Sequence, residues 1–331
     1  MTGLRWGILA TGGIAHAFTR DLRTAGLTVA AVGSRRAEAA ESFAHEYEIP
    51  RAHSSYEALV EDPDVDIVYV ATPHGRHFED AALALQAGKH VLVEKAITLD
   101  ADEATALRDI AADADLLIME AMWTRYLPHM ARIRELVRSG ALGEVRTVFA
   151  DHTQRISADP AHRLNALELG GGALLDLGIY PVSFIWDVLG APTGIRALGR
   201  LGDTGADTEV VGSMVHGTGA VSSFAISSRG AGPNVAHIVG SEASIAIDPV
   251  WYCPTTFRVT DGERRVIEEY RSEVDGRGMQ YQALYAEQLL AEGRRDSDLL
   301  PFGESVAIMA ALDDVRAQVG VIYPPKRENA G

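Results

Sequence analysis

The 331-residue chain is poor in basic charge, in cysteine and in long apolar runs, and each shortage excludes a class of protein. Lys and Arg number 30 against 46 Asp and Glu, so the formal net charge is −16, whereas a nucleic-acid binder needs a basic surface. The single cysteine, Cys253, can form neither an internal disulfide nor a zinc site built on cysteines, which favours a reducing, cytoplasmic location. No run approaches the roughly 18 apolar residues of a membrane span, and an apolar strand begins at Leu4, where a secretory leader would lie.

The composition, with 47% hydrophobic and 23% charged residues, is typical of a folded globular protein. At about 150 residues per domain, the length predicts two domains. Over residues 1–123, short apolar runs alternate with Ala-rich stretches of helical periodicity, which predicts a Rossmann-type α/β domain with a doubly wound parallel sheet. The predicted strands are residues 5–10, 28–34, 67–71, 90–94 and 116–120, and the predicted helices are residues 14–25, 37–48, 77–87 and 101–112.

The pattern changes after an amphipathic helix at residues 128–139, because β-type segments then follow one another without helices between them. We expect residues 124–331 to form an α+β domain with a large open, mostly antiparallel sheet, one face of which is covered by helices. The predicted strands are 145–152, 195–202, 209–216, 220–228, 236–239 and 244–247, with a hairpin at 257–270, and the predicted helices are 172–189, 280–292 and 303–319. We expect the tail from residue 324 to fray.

A turn of small residues follows the first predicted strand. Ala10, Thr11, Gly12, Gly13 and Ile14 have the spacing of the dinucleotide fingerprint G-x-G-x-x-[GA], with alanine at its first position. Small residues are needed there because the backbone turns tightly and approaches the pyrophosphate, whose charge lies at the helix N-terminus. The alternative is an ordinary turn between a strand and a helix. A predicted strand directly before the motif and a predicted helix directly after it favour the dinucleotide fingerprint over that alternative.

The end of the second predicted strand distinguishes the two nicotinamide cofactors. An NAD site places Asp or Glu about 20 residues past the glycines, whereas the 2′-phosphate of NADP needs cations and no carboxylate. Here the strand ends in Ser34, Arg35 and Arg36, and a guanidinium can bind phosphate through two parallel hydrogen bonds. The alternative is that the two arginines merely lie in solvent at the start of a helix. That alternative is disfavoured because positive charges at a helix N-terminus oppose the helix dipole. The sequence therefore predicts NADP rather than NAD.

Two further places carry groups suited to chemistry. Lys95 follows Glu94 at the end of the fourth predicted strand, at the edge where open α/β sheets hold ligands, although a snorkelling surface lysine is the common alternative. Glycines 170–172, which we interpret as a flexible run, enter an apolar helix in which Asp176 and Tyr180 share a face. A buried Asp and Tyr need partners, and a structural hydrogen bond between them is the alternative to a functional pair.

With these residues the chain resembles, over essentially its whole length, the glucose-fructose oxidoreductase, inositol dehydrogenase and rhizopine-catabolism oxidoreductases (Gfo/Idh/MocA). Segments 119–126 and 170–181 are most similar to the group of dimeric dihydrodiol dehydrogenases and NADP-dependent D-xylose 1-dehydrogenases within that family. Tyr180 supports this group, since many other members have His there. The chain departs from the family's pattern at two positions. It has Ala96 where the family usually has proline, and His74 where the family often has Asn. The matching motifs are residues 10–15, 71–74 with 77, 87–91 leading into 94–95, and 170–180.

The resemblance implies roles for individual residues. Lys95 and Tyr180 would flank the reacting carbon, Asp176 would orient the substrate, and Glu94 would lie by the nicotinamide ribose. Further contacts to the cofactor are implied for residues that follow the third and fifth predicted strands. These residues are Thr72, Pro73, His74, His77, Trp123 and Arg125.

Oxidation of an alcohol by NADP⁺ requires a group that takes the hydroxyl proton. Tyr180 is the expected acid/base, and because a phenol has an ordinary pKa of about 10, the ammonium of Lys95 would have to favour the phenolate. Asp176 would accept a hydrogen bond from a neighbouring substrate hydroxyl, and Lys95 acting alone as the acid/base is the less favoured alternative. We expect no metal, since His74 and His77 form only a short H-x-x-H without a third ligand nearby.

The resulting interpretation is an NADP-dependent oxidoreductase that acts on a sugar, a polyol or a vicinal diol. An NADP-sensing regulatory protein is one alternative, against which the intact Lys95, Asp176 and Tyr180 argue. A glycosidase that uses nicotinamide only transiently is another. Net reduction of the cofactor distinguishes the first interpretation from both alternatives.

The predicted strand at 220–228 indicates a homo-oligomer. Alternation places Phe224 and Ile226 on one face, which should meet the helices of its own domain, and Ser223, Ala225 and Ser227 on the other. Small side chains let a second sheet approach closely, so we expect at least a homodimer through the open sheet faces, as the resemblance also implies. A merely polar, exposed face is the alternative. We expect neither a nucleic-acid nor a membrane partner.

Overall fold

The computed structural model describes residues 3–324, so the predicted fraying of the tail lies almost entirely outside the described residues. The chain forms two compact units. The first comprises the residues up to Leu127 together with Val274–Val306, and the second comprises Pro128–Glu273 together with the segment that starts at Ala307. Each unit contains its own sheet and its own set of buried apolar side chains.

A parallel sheet forms the centre of the first unit, as the sequence predicted, but it has six strands rather than the five predicted. Its strands are β1 (Arg5–Leu9), β2 (Thr28–Gly33), β3 (Arg51–His53), β4 (Ile67–Val70), β5 (His90–Glu94) and β6 (Ile118–Ala121). They pair in the order β3-β2-β1-β4-β5-β6, so the direction of winding reverses between β1 and β4. Ligands of doubly wound sheets bind outside the carboxyl ends of the strands at such a reversal.

The helices that follow these strands are α1 (Gly13–Thr24), α2 (Ala37–Tyr47), α3 (Tyr56–Val60), α4 (His77–Gln86) and α5 (Ala101–Asp113). The sequence located α1, α2, α4 and α5 to within one residue at each end, but it missed α3 and the strand before it. Those two elements have five and three residues, too few to show a helical or strand period. The helices cover a sheet whose central strands are buried, as in β4, where all four residues are buried.

The second unit is built on an eight-stranded sheet. Its strands are β7 (Val145–Thr153), β8 (Pro192–Leu201), β9 (Asp207–His216), β10 (Val221–Ser227), β11 (Ala236–Gly240), β12 (Ala243–Ile247), β13 (Phe257–Asp261) and β14 (Val266–Tyr270). They pair in the order β14-β13-β12-β11-β7-β10-β9-β8. Only the β7–β10 pair among them is parallel, which confirms the mostly antiparallel sheet and makes it a mixed one.

Helices lie against one face of this sheet, and the opposite face is open. The helices are α6 (Pro128–Arg138) and α7 (Ile179–Leu189), which continues a π-helical turn at Leu174–Gly178. Phe224 and Ile226 are buried on the helix side, as the alternation predicted, whereas Ala225 is half-buried on the other. The open face is more apolar than β10 alone suggested, because Leu198 and Val211, in register with Ala225, are 82% and 56% exposed.

The prediction for the helix at 280–292 was wrong in one respect, because α8 (Gln280–Ala291) belongs to the first unit and does not cover the second sheet. Glu287 on α8 accepts a hydrogen bond from the indole of Trp6 at 2.9 Å, and Asp21 on α1 accepts one from the Met279 backbone N–H at 2.8 Å. The predicted boundary after residue 123 therefore leaves out Val274–Val306. A helical period shows that one face is buried, but it does not show against what.

The last helix, α9 (Phe302–Val319), begins in the first unit and ends in the second. Its Gln318 side chain accepts a hydrogen bond from the backbone N–H of Ala197 on β8 at 2.9 Å. The prediction that this helix packs on the second sheet is confirmed for its C-terminal part.

One helical segment, Leu167–Leu189, is long and apolar enough to cross a membrane by length and composition alone. Charged and small residues interrupt the apolar runs of this segment, so the sequence pattern does not indicate a span there. Of its most apolar 18-residue window, 83% is buried inside the protein, as in a core helix. The segment is therefore weak support for a membrane span.

Candidate active site

The fingerprint turn in the first unit is open on its outer side. β1 ends at Leu9, and Ala10 follows with φ +86°, a left-handed conformation that favours glycine, while its N–H donates to Gly33 O at 2.9 Å. α1 begins at Gly13 without a side-chain cap. A Cβ added at Gly12 or Gly13 would meet no atom within 4 Å. The space beside the start of α1 is therefore open, and the first N–H groups of a helix can bind an anion in such a space.

A cavity of about 370 Å³ lies between this turn and the start of α2, with Thr11, Arg36 and Ser42 among its lining residues. Ser34, at the end of β2, is buried, and its hydroxyl accepts from the Arg36 N–H at 3.4 Å. Arg35 and Arg36 are exposed, and within residues 3–324 neither forms an ion pair with a carboxylate. Glu38 also lines the cavity and adds a negative charge to it.

The loop after β4 is joined to the loop after β5 by two histidines. His77 is buried, with Nδ1 2.8 Å from Ala96 O and Nε2 2.8 Å from Thr72 O, and burial lowers its pKa. His74 Nε2 lies 3.1 Å from Lys95 O. Pro73 is the residue that precedes the short 3₁₀ turn His74–Arg76. The structure therefore gives His77 backbone partners on both ring nitrogens, so any effect of this residue on a cofactor is indirect.

Glu94 and Lys95 lie at the carboxyl end of β5, as predicted. The buried Glu94 carboxylate accepts a hydrogen bond from the Tyr69 hydroxyl, and the half-buried Lys95 is followed by a cis peptide bond to Ala96. Two residues further, the Ile97 N–H donates to Glu120 Oε1 at 3.1 Å. Three side chains therefore form hydrogen bonds to the backbone around Lys95, those of His74, His77 and Glu120.

Glu120, on β6, is a group that the sequence analysis did not single out, although it lies within the 119–126 motif. Its side chain is fully buried, and burial raises its pKa to about 7. A buried carboxyl whose pKa is raised in this way, and which lies beside the Lys95 loop, is a candidate functional group. In the sequence, this group could have been recognised as a glutamate at the end of the predicted apolar strand 116–120.

Trp123 and Arg125 lie in a short 3₁₀ turn after β6. Arg125 is buried and donates to Glu304 Oε1 at 2.7 Å and to Leu299 O at 3.1 Å. The guanidinium of Arg277 lies 5.3 Å from the centre of the Trp123 ring. These contacts bind the 274–306 segment to the Rossmann sheet, so both residues have structural partners besides their implied role at the cofactor.

In the second unit, the glycine run before the helix is ordered, and the prediction of a flexible run was wrong. Gly170 and Gly172 have φ +76° and +135°. A Cβ on Gly171 would lie 2.8 Å from Ala166 O, and a Cβ on Gly172 would overlap Asp207 Oδ1. The glycines are needed because other protein groups pack directly against their Cα atoms.

Asp207, at the start of β9, binds the N-terminus of the helix that follows the glycines. Its Oδ2 accepts from the Leu174 N–H at 2.6 Å, and burial raises its pKa to about 6. A carboxylate at this position complements the helix dipole. No pattern in the sequence indicates this contact, which joins residues 33 positions apart.

Asp176 lies inside the π-helical turn Leu174–Gly178 and is nearly buried. Such turns occur often at functional sites. Arg163, from the loop before the glycine run, donates from Nη1 to Asp176 Oδ1 at 3.2 Å and from Nη2 to Oδ2 at 3.0 Å. Arg163 was not predicted from the sequence, because an arginine in an irregular loop belongs to no periodic pattern.

Tyr180 is buried at the start of α7 among aromatic rings. The His152 ring meets it edge-on with centroids 4.9 Å apart, and the Tyr252 ring lies 5.2 Å away. His152 also stacks on Tyr252 at 3.9 Å, and the Gln154 amide donates to the Tyr252 hydroxyl at 3.2 Å. The phenol ring of Tyr180 is therefore held in a fixed orientation within the second unit. Among residues 3–324, no group of three His, Cys, Asp or Glu side chains has the arrangement of a metal site.

Two family models match the chain, one in each predicted domain. The model described as an oxidoreductase family with an NAD-binding Rossmann fold matches residues 4–122. The model of the GFO/IDH/MocA C-terminal domain matches residues 130–246.

Individual relatives match over nearly the full length. The chain is similar to trans-1,2-dihydrobenzene-1,2-diol dehydrogenase of Mus musculus, with 35% identity over 97% of this chain and 98% of the relative. It is equally similar to D-xylose 1-dehydrogenase (NADP(+)) of Hypocrea jecorina, with 35% identity over 97% and 93% of the two chains. Among solved structures, the 3-ketoreductase KijD10 of Actinomadura kijaniata, in complex with NADP, matches with a TM-score of 0.86 at 26% identity, over 98% of this chain and 100% of that one. The chain therefore belongs to the GFO/IDH/MocA family of oxidoreductases.

Proposed function

We propose that this protein is an NADP-dependent dehydrogenase that oxidises a CH–OH group of a sugar, a polyol or a vicinal diol. The observation that carries the choice of cofactor is the cavity between Thr11 and Arg36, where β2 ends in exposed arginines rather than in a carboxylate. The substrate class is supported by relatives that are named for a dihydrodiol and for D-xylose.

The residues of the first unit fit this cofactor. The open backbone at Gly12 and Gly13 leaves room for a pyrophosphate at the start of α1, and the buried Ser34 hydroxyl with Arg35 and Arg36 would bind the 2′-phosphate. In the cavity itself the guanidinium of Arg36 offsets the negative charge of Glu38. When bound, NADP⁺ supplies the acceptor for the hydrogen and electron pair that leave the alcohol carbon.

The second unit supplies the group that moves the proton. Tyr180 takes the proton of the reacting hydroxyl through its phenolic oxygen, and its aromatic neighbours exclude water around the ring. The Asp176 carboxylate accepts a hydrogen bond from an adjacent substrate hydroxyl and so fixes which carbon reacts. Lys95 supplies the positive charge that favours the phenolate. Lys95 as the sole acid/base is the less favoured assignment.

The experiment that tests this function follows the absorbance of NADPH while aldoses, dihydrodiols and inositols are offered with NADP⁺. We expect net reduction of NADP⁺ with at least one of these classes. Tight binding of NADPH without any turnover would instead favour an NADP-sensing protein. Cleavage of a glycoside without net reduction would favour a redox-assisted glycosidase.

We also propose a homodimer formed through the open face of the second sheet. The exposed Leu198, Val211 and Val215 give this face an apolar surface of the kind that usually meets a partner. Light scattering at micromolar concentration should return twice the mass of one chain, and a monomer mass would refute the proposal. A dimer that survives Ala225→Arg would place the interface elsewhere. A cytoplasmic location, which the single cysteine favours, stays a prediction.

A further inference from the structure

The loop that precedes the glycine run supplies one member of a charged pair, of which the proposed mechanism uses only the other. Arg163 and Asp176 form a two-pronged ion pair, with N–O distances of 3.2 and 3.0 Å. The Arg163 side chain is 50% exposed, whereas that of Asp176 is 10% exposed. A pair exposed to this extent contributes little to folding, so its geometry calls for another explanation.

The protein holds the backbone of this loop firmly. The Gly172 N–H donates to Leu164 O at 3.0 Å, and a Cβ on Gly171 would lie 2.9 Å from Arg163 O, so only glycine lets the loop pack this closely. Asn165, two residues after Arg163, accepts a hydrogen bond at its amide oxygen from the Arg229 guanidinium at 2.5 Å. The Asn165 amide nitrogen in turn donates to the carbonyl oxygen of Ser157 at 2.9 Å. The half-exposed guanidinium of Arg163 therefore extends from a backbone that hydrogen bonds and close packing hold in place.

We propose that Arg163 is a specificity residue that, together with Asp176, selects substrates with two adjacent hydroxyl groups, an inference that rests on the proposed function. The carboxylate accepts a hydrogen bond, and the neighbouring guanidinium donates one, with donor and acceptor a hydrogen-bond length apart. Each hydroxyl of a 1,2-diol both donates and accepts, so one hydroxyl can bind both members of the pair. The hydroxyl beside the reacting one donates to Asp176 and accepts from Arg163.

A simple alcohol has no hydroxyl beside the reacting one and therefore satisfies neither member of this pair. Both members are then left without a substrate partner, and sites built on such pairs strongly reject the analogue that lacks the second hydroxyl. The pair thus separates vicinal diols and sugars from monohydric alcohols of similar size and shape.

The test compares trans-cyclohexane-1,2-diol with cyclohexanol, using the full-length protein and NADP⁺. In Arg163→Gln, we expect kcat/KM for the diol to fall by about tenfold to a hundredfold, the usual effect of losing a hydrogen bond to a charged group. The value for cyclohexanol should change much less, and the KM for NADP⁺ should be unchanged. The ratio of the two kcat/KM values does not depend on the fraction of correctly folded enzyme.

Two further variants control for charge and structure. Arg163→Lys keeps the charge and one donor and should recover part of the ratio. Arg155→Gln removes an exposed arginine from the same loop and should keep the wild-type ratio. An unchanged ratio in Arg163→Gln would overturn the proposal.

A binding measurement separates this inference from the proposed function. If the wild type reduces no NADP⁺ with either alcohol, the proposed function fails, and isothermal titration of the NADP⁺-saturated protein with the diol then decides the role of Arg163. Binding of the diol that is weakened in Arg163→Gln but not in Arg155→Gln supports the specificity role. Equal binding to all three proteins, or to none of them, contradicts it.

Discussion

Two glycine turns precede α1 in the first unit and the helix of Asp176 and Tyr180 in the second, and they use glycine for opposite reasons. At Gly12 and Gly13, an added Cβ would meet no atom within 4 Å. At Gly171 it would lie 2.8 Å from Ala166 O, and at Gly172 it would overlap Asp207 Oδ1. The first turn leaves space for a molecule that is not protein, whereas the second is filled by the protein itself.

This difference assigns different tasks to the two units. The first presents bare helix N–H groups and two exposed arginines, which suits an anionic cofactor. The second fixes its helix with the buried Asp207 carboxylate, so that Asp176 and Tyr180 are held in place before any ligand arrives. A glycine in a sequence therefore indicates a close approach without indicating whether a ligand or a side chain approaches.

The largest effect is expected from removing the proposed proton-transfer group of the second unit. Tyr180→Phe should lower kcat by about 10² to 10⁴, as general acid/base removal does, while the affinity for NADPH is kept. Tyr252→Phe is the matched control, since it removes a neighbouring phenol hydroxyl from the same cluster and should cost less than about tenfold. Near-normal kcat in Tyr180→Phe would make Lys95 the acid/base.

The role of Lys95 can be tested in the same assay. Lys95→Met should raise the pH at which activity appears, because the proposed mechanism assigns to Lys95 the positive charge that favours the Tyr180 phenolate. A pH profile that keeps its position would show that Tyr180 does not depend on this ammonium.

The two glycine turns should respond oppositely to alanine. Gly172→Ala places a Cβ against Asp207 at φ +135° and should lower the free energy of unfolding by about 2 to 4 kcal/mol. Gly12→Ala should lower it by less than about 1 kcal/mol but should weaken NADPH binding, because its Cβ enters the open space at the start of α1. Urea unfolding and NADPH titration of both variants check this, and similar stability losses would remove the distinction.

The carboxyl group of Asp207, which packs against the second glycine turn, should make the free energy of unfolding depend on pH. Burial raises the pKa of Asp207 from 3.8 to about 6, so the folded state keeps a proton that the unfolded state releases in this window. The free energy of unfolding therefore falls as the pH rises from about 4 to about 6. Asp207→Asn, which cannot ionise, should gain about 1 to 3 kcal/mol relative to wild type across this window.

Urea unfolding at both ends of that pH range measures this gain. Asp187→Asn is the control, because it removes a carboxylate paired with Arg134 at 2.8 Å near the other end of the same helix. That variant should be less stable than wild type at both pH values. A stability difference between Asp207→Asn and wild type that does not change with pH would contradict the charged cap.

The smallest effect concerns the alanine at the first fingerprint position. Ala10 has φ +86°, so Ala10→Gly relieves a left-handed conformation and should raise the free energy of unfolding by about 0.5 to 1 kcal/mol. Ala87→Gly, at a helix end with φ −80°, should instead be neutral or destabilising. Thermal melting of the two variants should show shifts of opposite sign, and a shared destabilisation would rule out strain at Ala10.

The sequence predicted most of the fold, because alternation and helical period report directly on which side chains are buried. The strands β1, β2, β4 and β5 and the parallel sheet followed from this, as did the buried Phe224 and Ile226 of β10. Short elements such as α3 show no period. The assignment of α8 failed because periodicity does not identify the surface against which a helix packs.

The candidate site could be predicted only where its residues lie in motifs. Lys95, Asp176 and Tyr180 follow from motif spacing and resemblance. Arg163 and Asp207 do not, because each reaches the helix from a separate part of the chain, and the contact exists only after folding. Glu120 lay within a motif, but only burial distinguishes it from other glutamates.

The measurement that tests the account most directly is the binding of NADPH and NADH to the wild type and to Arg35→Ala by isothermal titration calorimetry. The account predicts that the wild type prefers NADPH. It also predicts that Arg35→Ala weakens NADPH binding by about 1.5 to 3 kcal/mol, or about tenfold to a hundredfold, as expected for a charge-assisted bond to phosphate, and leaves NADH nearly unchanged. Equal losses for the two cofactors, or a wild type that prefers NADH, would contradict it.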